Sequence, residues 1–587
     1  MNTRVTVKFL KENYSKREVM VPMRDGVRLY TALYEPLGYS GRPVILIRTP
    51  FPLNPYGKTF TRDLRGYMSL FASQKYIIVY QNVRGCFMSE GDFENVRPFD
   101  RSIPRGVPGN AGPCDEASDT FDTVEWLLEN LCTNGNVGVK GMSYPGFYAT
   151  MAALSGHPAI KAVSPQAPVT DWFMGDDAHI GGVFQLPTYL FGASFFRPRK
   201  GRTIRWPRPL DIPEGDLYDY FLEKGSNPAA ALAGEAPFFK DFLDHPTYDE
   251  FWKSRNPLNS ISGKKLPPTL VVGGWFDAED SYGAFETYRR IKEEAPETEL
   301  YLCAGPWYHG AWKKTGYETL GDLYFTPGSA EYFREKVEYP FFAKYLEGKG
   351  EGPSAKVEIL PSGETLPPDV RRPQWQHMRN WPPQSEERKL YLNLEDSLSA
   401  TPVLERGSFF CTLTDDPRRP VPYTGGILEH FSREAFVADQ RFASRRPDVL
   451  TFSMPVLKEE LRIEGRVVVH LSIFCDEPGT DMNIIVKLVD RRPDGYQLPV
   501  RIGARPLRFA DSFEHARLPQ APGSCRMDIE LTDIAHHFPV GHQLMLQVQA
   551  SMFPLLALQE REHVSQVSIS LGWDSPSYIT LPVCRNL

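Results

Sequence analysis

The chain has 587 residues, enough for several domains at the usual ~100–200 residues each. Its 41% hydrophobic, 24% charged and 12% aromatic content is that of a folded globular protein and excludes disordered, collagenous and fibrous classes. The 66 basic and 73 acidic residues leave a formal charge of −7, a balance that points to neither nucleic acid nor an anionic membrane as a partner. Eight cysteines are scattered without a Cys-x-x-Cys pair, so they read as reduced thiols rather than a zinc or redox site. No run of ~18 apolar residues would span a membrane. The charged start, Met1 to Lys8, lacks the apolar stretch of a signal peptide. A cytoplasmic location is expected, unless an export signal has been trimmed away.

In chain order, Val19 to Met23, an Asp25-Gly26 turn and Arg28 to Tyr34 predict a β-hairpin. Pro43 to Arg48 and Tyr76 to Tyr80 are short continuous apolar runs, as expected of parallel strands covered on both faces. Asp115 to Leu131 predicts a helix, with Ala117, Phe121, Val124, Leu127, Leu128 and Leu131 on one face. Between residues 171 and 256 the strand signal gives way to aromatic helical patterns, in which Leu217, Tyr218, Phe221 and Leu222 share a face, as do Phe238, Phe239, Phe242 and Leu243. Buried-strand patterns return at Thr269 to Val272 and Leu300 to Cys303, so this stretch reads as a helical insertion capping one α/β domain. Beyond about residue 350 only turn-punctuated strands remain, among them Arg466 to Phe474, Met482 to Val489 and Gln543 to Ala550, which predicts a separate jelly roll or sandwich. The expected division is 1–170 and 257–350 for the two parts of the α/β core, 171–256 for the helical cap and 351–587 for the β domain. There is no internal repeat or low-complexity tract.

Asn136 to Lys140 reads as a strand, followed by Gly141-Met142-Ser143-Tyr144-Pro145-Gly146 and a helix from Phe147 to Leu154. A serine in such a turn projects its hydroxyl at the C-terminal edge of a sheet, beside backbone N–H groups able to hold an oxyanion. The pattern differs from Gly-x-Ser-x-Gly by one residue, and an ordinary strand-to-helix turn is the alternative. A hydroxyl nucleophile needs an imidazole base, which in turn needs a carboxylate. Asp277 follows the strand 269–272 and His309 follows the strand 300–303, both at strand C-termini, where open α/β sheets bind ligands. The joint pattern nominates Ser143, Asp277 and His309 as a triad.

These segments resemble the serine hydrolase family that includes cocaine esterase, the α-amino-acid ester hydrolases, the cephalosporin acylases and, more distantly, the X-Pro dipeptidyl-peptidases. The matching residues are Val83-Arg84-Gly85 with Ser89-Glu90-Gly91, the Gly141 to Gly146 turn, Trp275-Phe276-Asp277, Gly305 to His309, and Thr480-Asp481 with Pro493-Asp494-Gly495. The resemblance implies an α/β-hydrolase core with a helical cap and a C-terminal jelly roll. It also accounts for the extra residue before Gly146, because the family writes its nucleophile motif that way. Among its members the α-amino-acid ester hydrolases resemble the chain most closely, and they hold an α-ammonium group with three carboxylates, which by motif fall on Asp177, Glu279 and Asp280. A helix-start aspartate and a solvated loop are the plain alternatives for these positions. The family's oxyanion hole pairs the N–H after the nucleophile, here Tyr144, with a tyrosine hydroxyl. An ungapped reading puts Phe51 at that tyrosine position, whereas a gapped one puts Tyr56 there, and Tyr56 is the expectation.

The expected function is therefore hydrolysis of esters or amides of small acyl groups, α-amino acyl groups foremost, through an acyl-enzyme on Ser143, with no metal or organic cofactor. A general carboxylesterase, an X-Pro dipeptidyl-peptidase and a carbohydrate- or partner-binding protein are the alternatives. The expected partner is a small-molecule ester or amide, with homo-oligomerisation left open.

Overall fold

The computed structural model describes residues 4–105, 112–195, 201–207, 212, 214–225, 237–325, 327–363, 373–405, 407–560 and 563–584. The predicted hairpin is present: β1 (Tyr14–Pro22) pairs antiparallel with β2 (Arg28–Pro36). Then come β3 (Arg42–Thr49), β4 (Ile77–Asn82), β5 (Thr133–Ser143), β6 (Ile160–Pro168), β7 (Thr269–Gly274) and β8 (Leu300–Gly305). Two short strands, β9 (Val357–Ile359) and β10 (Gln376–Met378), complete a ten-stranded sheet of order β1-β2-β4-β3-β5-β6-β7-β8-β9-β10. From β4 to β9 neighbours run parallel; β1, β2 and β10 are antiparallel additions. Strands β9 and β10 lie in the span read from sequence as the β domain, so the α/β sheet reaches past residue 350 to Met378.

The continuous apolar runs exist because the sheet is covered twice. Successive residues of β3 go to opposite layers, Val44 and Leu46 to one core and Ile45 and Ile47 to the other. Helices α1 (Glu116–Asn130) and α2 (Tyr144–Leu154) fill the first layer, and Phe341, Phe342 and Leu346 of a helix at Tyr339–Glu347 fill the second. Asp115 caps α1 in a reciprocal capping box with Ser118. The Val83-Arg84-Gly85 segment has a structural use here. Arg84 ion-pairs with Asp119 of α1 and Asp25 of the hairpin turn, both at 2.6 Å, tying the loop after β4 to both.

Between β6 and β7 lie helices α3 (Leu186–Phe195), α4 (Leu217–Lys224), α5 (Pro237–Asp244) and α6 (Glu250–Arg255). They are preceded by a small hairpin, His179–Ile180 with Val183–Phe184, that the helical reading did not contain. Leu217, Phe221, Phe239 and Phe242 are buried as the aromatic faces predict, but Leu243 is exposed; the side chain of Phe238 and residues 196–200, 208–211, 213 and 226–236 of this span lie outside the described residues. The C-terminal domain is an eleven-stranded, mainly antiparallel sheet curled around its own apolar core, including Leu390, Val469, Ile484, Leu546 and Ile579. Its longest strands include Leu461–Cys475 and Gly523–Phe538. Among the described residues no helix is long and apolar enough to cross a membrane.

Candidate active site

Strand β5 ends on Ser143 and α2 begins at the next residue, with Ser143 held at φ 67°, ψ −131°. A non-glycine residue takes such a conformation only under constraint, and here it thrusts the hydroxyl out of the turn. The glycines on either side make room for it. A Cβ on Gly141 would stand 1.9 Å from the Pro145 carbonyl oxygen, and one on Gly146 would stand 2.7 Å from Cα of Pro168. The second glycine therefore belongs where α2 crosses the end of β6. Pro145 occupies the first turn of α2, where a missing N–H costs nothing.

His309 follows β8, and its Nδ1 lies 2.9 and 3.0 Å from the two carboxyl oxygens of Asp277, which follows β7. Asp277 is held in turn by the backbone N–H groups of Glu279 and Asp280, which donate to its Oδ1 at 2.9 and 3.0 Å. The strand ends can approach this closely because Gly274 has no side chain; a Cβ there would lie 2.3 Å from the Trp307 carbonyl oxygen. Ser143 and His309 open on one cavity of about 600 Å³. The other ring nitrogen, His309 Nε2, lies 3.5 Å from Glu279 Oε2 and 3.9 Å from Asp280 Oδ2.

The acidic residues fall into two tiers. Asp177 and Glu279 line the cavity, whereas Asp280 is fully buried and does not line it, and among the described residues neither of its carboxyl oxygens has a hydrogen-bond partner. Burial, and then the charge of Glu279, pushes the Asp177 carboxyl up to about 7. Glu279 is raised by burial and by Asp277, against the pull of His309 and Arg433. Asp280 is raised well above the carboxylate range by burial and by its four acidic neighbours. Burial lowers the basicity of His309, but Asp277, Glu279 and Asp177 outweigh it and raise the imidazole to about 10. These groups titrate as one cluster. A further buried carboxylate, Asp176, is a brace: it accepts from Thr170 N–H and hydroxyl, Asp171 N–H and Gly283 N–H, joining the end of β6 to helix α7 (Ser281–Glu294).

Tyr144 begins α2 on the cavity wall, its hydroxyl engaged by Asn95 Oδ1 at 2.7 Å and Val96 N–H at 2.6 Å. Tyr56, the expected second oxyanion donor, is not among the cavity-lining residues; its ring packs on Tyr30 of β2 with centroids 5.6 Å apart. The cause lies at the end of β4. Asn82 Nδ2 donates to the Phe51 carbonyl at 2.6 Å and clamps that residue beside the end of β3. Phe51 thereby takes the cavity position and packs against Phe195 and Trp206 at 5.3 and 6.2 Å. The β domain closes one wall of the cavity with Tyr423, Phe431, Ser432, Arg433 and Leu555, residues that no sequence motif marks. Among the described residues no group of three or more His, Cys, Asp or Glu side chains is arranged to hold a metal ion.

Residues 25–311 match the family described as X-Pro dipeptidyl-peptidase (S15 family), and residues 348–568 match the X-Pro dipeptidyl-peptidase C-terminal non-catalytic domain. Cocaine esterase of Rhodococcus sp. (strain MB1 Bresler) is 28% identical, over 98% of this chain and 99% of that one. Among solved structures, an α-amino acid ester hydrolase superposes with a TM-score of 0.86 at 32% identity, covering 97% of each chain. An aminopeptidase from a marine sediment archaeon, Thaumarchaeota archaeon, does so with a TM-score of 0.86 at 30% identity, over 98% of this chain and 97% of that one.

Proposed function

Because the chain belongs to the X-Pro dipeptidyl-peptidase (S15) family of serine hydrolases, we propose that it cleaves esters or amides of small α-amino acyl groups through an acyl-enzyme on Ser143. In this reading His309 takes the Ser143 proton as Oγ bonds to the acyl carbon. It then returns the proton to the leaving oxygen or nitrogen as that bond breaks. Water deprotonated by His309 next attacks the acyl-enzyme, releasing the acid and Ser143. Asp277 fixes the imidazole through Nδ1, and the Tyr144 N–H faces the developing oxyanion. Tyr56 has no part in it.

The observation that carries the α-amino preference is the acidic cluster at His309 Nε2. Among the described residues Asp280 has two buried oxygens without donors, and Glu279 and Asp177 stand on the cavity wall. Buried carboxylates without donors are costly, and a cation entering in front of them relieves that cost. Without a substrate cation the imidazolium of His309, its Nε2 3.5 Å from Glu279, fills that role. A substrate ammonium replaces it, so the right substrate frees the base. This specificity acts on turnover as well as on binding.

The test is hydrolysis of phenylglycine methyl ester beside phenylacetic acid methyl ester, with Ser143→Ala as control. A strong preference for the amino ester is expected, with turnover lost in the Ser143 variant by a factor of ~10³ or more. Equal rates for the two esters would reduce the acidic cluster to a structural feature.

A further inference from the structure

The cavity has a second charged flank. Besides the acidic residues, it is lined by Lys140, Lys313, Tyr67, Tyr80 and Asp63. Most of these groups satisfy one another. The Lys140 ammonium is bonded to Glu338, whose carboxylate also accepts from Gln166 Nε2 at 2.7 Å. Asp63 accepts from the hydroxyls of Tyr67 and Tyr80, each at 3.3 Å. Lys313 is different. Its ammonium stands over the Tyr67 ring, 5.0 Å from the centroid, and among the described residues no carboxylate lies within ion-pair distance of it. Cation–π contact compensates part of the desolvation of an ammonium but not the whole.

Lys313 ends the short turn Ala311–Lys313 that follows His309 through Gly310, which takes φ 77°. A Cβ placed on Gly310 would be 4.0 Å from Lys313 Cε, so the lysine stem folds back beside the residue next to the base. The charges that bear most on Lys313 are Asp63, Lys140 and Glu338, whereas those that bear most on His309 are Asp277, Glu279 and Asp177. One cavity thus holds carboxylates beside His309 Nε2, which seek a cation, and the Lys313 ammonium over Tyr67, which offers one. The base delivers its proton to the leaving group, which must therefore lie against the turn that carries His309 and Lys313. The acyl group's ammonium is drawn to Asp177 and Glu279, which are not among the charges that bear on Lys313.

From this placement we infer that Lys313 anchors a carboxylate subsite on the leaving-group side, so that the substrates taken best are zwitterions: an α-amino acyl group joined to a leaving group that ends in a free carboxylate, as in a dipeptide. The inference rests on the α-amino acyl reading of the same cavity. A carboxylate paired with a partly desolvated ammonium makes a strong charge-assisted contact, and Asp63 is the charge that opposes it.

The experiment compares phenylglycyl esters of glycolic acid and of glycolamide, which share a leaving oxygen and differ in the terminal carboxylate, together with the phenylacetyl pair and aspartic acid α-methyl ester. In wild type the glycolic acid ester is expected to exceed the glycolamide ester at least tenfold in kcat/KM. Lys313→Met should collapse that ratio to about one, and Asp63→Asn should raise it. Reading the ratio within each variant cancels any loss of folded protein. A wild-type ratio near one, a ratio that survives Lys313→Met, or a lysine-dependent preference for the aspartyl acyl group instead would overturn the inference. If the amino preference is absent but the carboxylate ratio persists in the phenylacetyl pair, the ammonium reading fails and the lysine subsite stands.

Discussion

Glu279→Gln separates a carboxylate that merely binds an ammonium from one that also holds the proton on the base. His309 Nε2 lies 3.5 Å from Glu279 Oε2. Unit charges at that separation attract by roughly 1 kcal/mol in a water-like medium and ~5 kcal/mol at an effective dielectric of 20. The Glu279 side chain is 54% exposed, on the cavity wall, so the lower part of that range applies, about 1–2 pKa units on the imidazole. With the His309 imidazole raised by Asp277, Glu279 and Asp177, the neutral base is the minor form at pH 7 until a substrate cation displaces its proton. A neutral ester brings no replacement cation, so its kcat/KM should climb with pH towards 10 in wild type. The amino ester supplies the cation itself, and its profile should level off once its own ammonium begins to titrate. In Glu279→Gln the imidazole loses a counter-charge and its basicity falls. The neutral ester should then gain roughly 10-fold or more in kcat/KM at pH 7, while the amino ester loses. Stopped-flow or pH-stat profiles on both esters measure this. Parallel loss on both, or an unmoved profile for the neutral ester, would refute the coupling between ammonium site and base.

Two simpler substitutions check the placement of single groups. Tyr56→Phe should leave ester turnover within about twofold of wild type, because its ring packs on Tyr30 away from the cavity; a fall of ~10² would return its hydroxyl to the oxyanion. Gly146→Ala forces a Cβ to within 2.7 Å of Pro168 Cα. Overpacking of this kind costs about 1–3 kcal/mol, visible as a lower thermal midpoint, and an unchanged midpoint would show that α2 can shift off β6.

The parts of the site that sequence could reveal are those fixed by local rules. Asp277 and His309 each follow a strand whose apolar run is visible by itself, Ser143 ends a strand betrayed by the glycine-flanked turn after it, and the sheet order brings the three strand ends together. The spacing to Gly146 looks irregular from the residues alone and is accounted for by the family resemblance; its physical reason, the crossing of α2 over the end of β6, is visible only in the structure. Tyr56 was illegible for a non-local reason. Whether residue 51 or 56 faces the cavity depends on Asn82, distant in sequence, clamping the Phe51 carbonyl. Strands β9 and β10 have three residues each, too few for a period, and the hairpin at His179–Phe184 has two per strand. Lys313 carries no motif; its significance lies in what is missing around it, which a sequence does not display.

The same reasoning explains why this cavity needs a second domain. Asp176, Asp177, Asp277, Glu279 and Asp280 crowd one corner of the α/β core, and beside His309 of that core the β domain brings two cations to them. Arg501, 3% exposed, donates to the Asp533 carbonyl at 2.7 Å and to the Ser281 hydroxyl at 3.3 Å, which places its charge within the field of Asp277. Arg433 lies over the Tyr308 ring at 4.3 Å on the cavity wall and draws the Glu279 carboxyl down against its burial. Replacing Arg433 by Met removes that pull, so the Glu279 pKa rises. Below that pKa Glu279 is neutral and the substrate ammonium loses a partner, so the acid limb of amino-ester kcat/KM must move to higher pH. The Arg433 side chain is 46% exposed, which limits the shift to about half a pH unit. The neutral ester has no ammonium to lose, so its activity at pH 6 should not follow that limb. A limb that stays in place, or moves to lower pH, would mean that Arg433 shapes the wall of the cavity without setting its charge.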